Sequence, residues 1–102
     1  MLPSRDVADR YVENYFKNTN EIFWVLSYNE FMTWYQVYDP AKPLDPTREA
    51  IFLLVLAFGA SSESNDEGEK YNSSALNLVG PVMKQGGLEG IQALLLMVPS
   101  LL

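Results

Sequence analysis

The sequence contains no cysteine and no histidine. Without cysteine there is no disulfide framework, no thiolate nucleophile and no Cys-ligated zinc. Without histidine the Ser–His and Cys–His dyads are excluded, and the commonest metal ligand is missing. Positive charge is scarce: 7 Lys and Arg stand against 13 Asp and Glu, a net of −6. A surface of that sign repels phosphate backbones and anionic lipid heads, which argues against direct nucleic-acid binding. Long apolar runs are lacking too. The longest, Ala50 to Phe58, falls well short of the roughly 20 residues a bilayer-spanning helix needs. Met1 to Asp9 lacks the apolar core of a signal peptide, so an intracellular, non-secreted chain without membrane contact is expected. On that reading Asn72-Ser73-Ser74 is a chance match to a glycosylation acceptor.

What is present suits one globular domain spanning residues 1–102, with 48% hydrophobic and 20% charged residues. Val7, Ala8, Tyr11, Val12, Tyr15 and Phe16 fall on one helical stripe, with Ser4 placed to cap it and Asn18-Thr19-Asn20 to break it. Ile22 to Leu26 is a short apolar connector. Ser27-Tyr28-Asn29-Glu30 then fits a capping box opening a second helix through Phe31, Met32, Tyr35 and Tyr38. Pro40, Pro43 and Pro46 stiffen the next loop, and Asp45-Pro46 opens a third helix. Its body, Ala50 to Phe58, is apolar on every face, the mark of a central buried helix; Gly59 is its expected stop.

Residues 60–70 carry acids and small polar groups in place of large apolar ones, and read as a flexible acidic loop. Tyr71, Ala75, Leu78 and Val82 resume helical spacing, which Gly80-Pro81 should kink or split and Gly86-Gly87 should end. Leu88 to Val98 is a last apolar helix, expected to stop at or before Pro99. The expected fold is all-α: an irregular bundle of about five helices with one acidic disordered loop.

The acidic loop is a weak match to a calcium site. With Gly68 at the sixth position, Glu63, Asn65 and Glu67 take the first, third and fifth, but the twelfth is Ser74 where a bidentate Glu is needed. Carboxylates offer no catalyst either. Glu13 with Lys17 fits a helix-surface pair, and Glu89 fits the dipole at the start of the last helix. No carboxylate lies inside an apolar stretch that would raise its pKa, so no catalytic residue is named and a non-enzyme without cofactor or metal is expected. Aromatics crowd between Tyr11 and Tyr38. Rings at helical spacing ordinarily form a core, and the alternative is a pocket for an apolar molecule. The candidate apolar ligand or partner surface comprises Phe23, Trp24, Trp34, Tyr35, Leu94, Leu95 and Met97.

Four stretches, in this order and spacing, resemble the fungal-specific transcription factor domain, the middle homology region that follows the zinc cluster in fungal zinc-cluster regulators. They are Leu2 to Ala8 running on through Tyr11 to Tyr15-Phe16; Ile22 to Leu26 with Phe31 and Tyr35; Ala50 to Ala60; and Leu88-Glu89-Gly90-Ile91-Gln92-Ala93-Leu94-Leu95-Leu96-Met97. The last is the sharpest, being similar to the family's recurrent Leu-Glu-x-Val-Gln-Ala-Leu-Leu-Leu helix. Asn20-Glu21 and Trp24 depart from the family's His-Pro and second proline, and Pro81 and Pro99 interrupt helices the family continues. The resemblance implies the N-terminal part of a nuclear regulatory domain that senses an effector or co-regulator. DNA would be reached only through a zinc-cluster module that this cysteine-free chain lacks. The implied partners are protein co-regulators or the rest of a larger domain; the apolar Leu88–Leu102 tail, read from the residues themselves, fits self-association as well. A free-standing small helical protein-interaction module is the alternative.

Overall fold

The computed structural model describes residues 3–19, 25–39, 41, 42 and 44–101, with the backbone alone for Thr19, Asn65, Pro99, Ser100 and Leu101. Among them are six α-helices and one π-helical turn, with no strand. The fold is all-α.

Helix starts follow local chemistry. Ser4 is extended, and its hydroxyl accepts from the Val7 amide at 3.4 Å to open α1, Arg5–Asn14. This helix widens into a π-turn, Tyr15–Thr19, whose first side chain is fully buried. Ser27 accepts from the Glu30 amide at 3.3 Å to open α2, Tyr28–Tyr35. Asp45 accepts from the Arg48 amide at 3.0 Å, with Pro46 at the first position of α3, Pro46–Ser61. That proline is pre-set to helical φ, and its missing N–H would have had no partner there.

Helix α3 is the axle of the molecule. No residue from Ala50 to Ala57 is more than 8% exposed, because α1, α4, α5 and α6 surround it. Gly59 does not end it, contrary to expectation. The helix runs on to Ser61 because Gly59 has a packing role: a Cβ there would lie 2.0 Å from the Tyr11 carbonyl oxygen. Only glycine lets α1 cross so close.

The expected flexible loop over 60–70 is also corrected. Only Ser62 to Ser64 leave the helical path, and α4 spans Asn65–Leu76. The Ser64 hydroxyl accepts from the Glu67 amide at 3.5 Å, and Asp66 and Glu67 sit in the first turn, where the helix dipole favours acids. The acids that made the segment look like solvated coil are thus helix-opening residues. Tyr71 and Ala75 face the core, and buried Gly68 lets α4 lie against Ala57 and Ser61 of α3.

Near Gly80-Pro81 the chain splits rather than kinks. Helix α5, Val79–Gln85, takes Pro81 into its first turn, where a missing N–H costs little. The Thr47 hydroxyl donates to the Gln85 side-chain oxygen at 2.8 Å, tying the end of α5 to the start of α3. Gly86 and Gly87, with φ of 69° and 80°, turn the chain in the left-handed region that glycine tolerates. Helix α6, Gly87–Leu101, then passes through Pro99, correcting the expected stop. Pro99 falls in the last turn and forfeits one backbone bond, while buried Ala93, Leu96 and Met97 hold the helix on the core. Among the described residues no buried side-chain N or O lacks a partner, and no helix is long and apolar enough to cross a membrane.

Candidate functional site

The sequence-derived surface residues do not converge. Phe23 and Trp24 lie outside the described residues. Tyr35 and Met97 are core, each 1% exposed. Trp34 and Leu94 are half-buried, and Leu95 is open at 52%. Leu94, Leu95 and Met97 diverge because each helical residue turns about 100° from the last. Their shared apolar character concealed this.

Trp34 lines an open groove of about 500 Å³ between α2, the start of α3 and α6. Leu26, Phe31 and Ile51 form its buried floor. Its rim is polar. Arg48 Nε donates to Glu89 Oε2 at 3.3 Å and its guanidinium lies 5.9 Å from the Trp34 ring centre. Gln92 Nε2 donates to the Val25 carbonyl at 3.2 Å, tying the connector to α6. This arrangement can hold an apolar or aromatic body beneath a charged edge.

A second groove of about 550 Å³ separates α1 from α2 and includes Arg5, Asp9, Met32 and Tyr35. The Tyr35 hydroxyl donates to Asp9 Oδ1 at 2.6 Å, and the Arg5 guanidinium lies 4.2 Å from the ring centre. Burial pushes this phenol well above its usual range, the Asp9 hydrogen bond adds to the rise, and Arg5 opposes it. The ring therefore acts as a neutral donor clamping α1 to α2, with no acid–base role near neutral pH.

By spacing alone Glu63 fits the first position of a calcium loop. In the structure its carboxylate accepts from Arg10 Nε at 2.8 Å and Asn14 Nδ2 at 2.8 Å, joining the α3–α4 turn to α1. Those donors hold its carboxyl below the usual range. Gly68, the supposed loop glycine, is in α4. Among the described residues no group of three or more His, Cys, Asp or Glu is gathered as a metal site would require.

The most coherent functional feature is one the sequence reading missed as a pattern. Leu88, Ile91, Leu95 and Val98 are 71%, 56%, 52% and 41% exposed, and form a single row along α6 opposite its buried face of Ala93, Leu96 and Met97. Val79 and Met83 of α5, four residues apart, are also open. Steps of three, four and three residues were legible in the sequence, but the equally apolar Leu94, Leu96 and Met97 between them blurred the two faces.

The sequence matches no protein-family model, no curated protein and no solved structure. The residues themselves therefore carry the functional reading. Contiguous exposed apolar surface is the kind of feature that marks interaction sites.

Proposed function

We propose that this chain is the N-terminal part of a transcription-regulating domain of the fungal zinc-cluster type, working through protein contacts in the nucleus. The observation that supports this most is a coincidence of place. The stretch that most resembles the family, Leu88 to Met97, is the helix that carries the uncovered apolar row. The net charge of −6 agrees with a role in which another module touches DNA. A fusion of the chain to a heterologous DNA-binding module tests the reading. Reporter transcription should change several-fold on fusion and return to baseline with Ile91→Glu and Leu95→Glu together. An unchanged reporter, with the fusion folded and present, overturns it.

A second reading, a free-standing helical interaction module, is favoured by one observation: α3 is enclosed by neighbouring helices of this same chain. An unchanged reporter would leave this second reading in place of the first.

A further inference from the structure

The uncovered row on α6 has an internal symmetry that bears on what covers it. Leu88 and Val98 lie equally far from Ala93, one on each side, and so do Ile91 and Leu95. Two such helices laid antiparallel, with a two-fold axis beside Ala93, would set Leu88 against Val98 of the second copy and Ile91 against its Leu95. Each contact would then occur twice, as an isologous interface requires. The three-four-three spacing is that of a coiled-coil seam, which keeps one apolar line facing a partner helix.

Charge selects the same face. A chain with a net of −6 repels its own copies over most of its surface. Between Gly87 and Leu101 the single charged side chain is Glu89, and Arg48 neutralises it at 3.3 Å. The charged residue of α5, Lys84, is basic. Two copies meeting along α6 would therefore bring together no uncompensated acid of that helix. A basic partner would find no free acid along α6 to pair with.

We infer that the Leu88–Val98 row of α6 binds a second copy of this chain, the two helices running antiparallel about an axis level with Ala93 on the open side of the helix. This rests on the reading of α6 as an interaction surface and names the occupant. The symmetric spacing allows a reversed copy, and the near absence of charge along α6, in a chain that is otherwise strongly acidic, is what favours that copy as occupant over a charged partner.

Light scattering on the eluting peak of a size-exclusion column, over a concentration series, tests it. The mass should approach twice the 11.5 kDa of one chain as concentration rises. Ile91→Glu, at an exposed position, should return it to one chain with the helical circular dichroism unchanged. Val37→Glu, at a site 79% exposed and off the row, should leave the dimer intact. Because the chain has no cysteine, Ile91→Cys and Leu95→Cys proteins can be mixed and oxidised cleanly. The mixed disulfide should exceed its statistical share, while predominance of the two like-with-like disulfides would overturn the antiparallel arrangement. A monomer at every concentration would overturn the second copy as occupant. The reporter separates the two ideas: a monomeric chain that still drives transcription leaves the proposed function standing, and a silent dimer overturns that function alone.

Discussion

Helices α3 and α6 are both rich in leucine and poor in charge, yet their burial differs. From Ala50 to Ala57 no side chain of α3 exceeds 8% exposure, while α6 alternates buried Leu96 and Met97 with open Leu95 and Val98. Position explains the contrast. Helix α3 is enclosed by α1, α4, α5 and α6, whereas α6 meets α3, α4 and α5 and, among the described residues, leaves the Leu88–Val98 row open. Apolar content sets how much surface a helix can bury, and the number of neighbours sets how much it does. The apolar remainder on α6 is what makes it the candidate interface.

The strongest way to break the contrast is to deny α3 one of its neighbours. Gly59→Ala should improve helix propensity and still destabilise the protein by about 4 kcal/mol or more, because the new Cβ meets Tyr11 backbone at 2.0 Å. Urea unfolding would measure it, and a neutral result would mean α1 does not cross there. A smaller effect checks α4. Ser64→Ala removes the cap that accepts from the Glu67 amide and should cost about 1 kcal/mol. No change would return the segment to a loop.

Two titrations sharpen the picture further. Burial, helped by nearby Glu67, pushes the Tyr71 phenol up to about 12 from 10.0. Its folded-state pKa is raised, so its contribution to stability is complete below pH 10.0 and is lost as pH climbs through about 12. Unfolding measured across that window should therefore depend less steeply on pH in Tyr71→Phe. The mildest effect concerns Glu63, whose carboxyl is held low by Arg10. Its contribution is present above the ordinary carboxylate range and lost as pH falls through the lowered value. A carboxyl NMR titration should show the Glu63 midpoint rising in Arg10→Ala, with little change in stability at so exposed a pair.

Much of this fold was legible because helix starts are local events. Ser4, Ser27 and Asp45 each sit one residue before the helix they cap, and the run Ala50 to Phe58 announced its own burial. What stayed hidden depended on distant partners. Gly59 reads as a stop until Tyr11 is seen against it, and Ser64-Asn65-Asp66-Glu67 reads as coil until Gly68 is placed on α3. The candidate surface was half legible for the same reason. Leu95 was singled out and lies on the open row, but Tyr35 and Met97 proved to be core, since which of several adjacent apolar residues faces outward is decided by the neighbouring helix.

The contrast between the two helices is tested most directly by one matched pair of truncations, Leu54→Ala in α3 and Leu95→Ala in α6, each followed by equilibrium urea unfolding. Leu54 is wholly buried and Leu95 is 52% exposed. The loss should be about 2–5 kcal/mol at Leu54 and within about 0.5 kcal/mol at Leu95 in the monomer. Equal losses at the two positions would contradict the division into an enclosed axle and a helix with one open row.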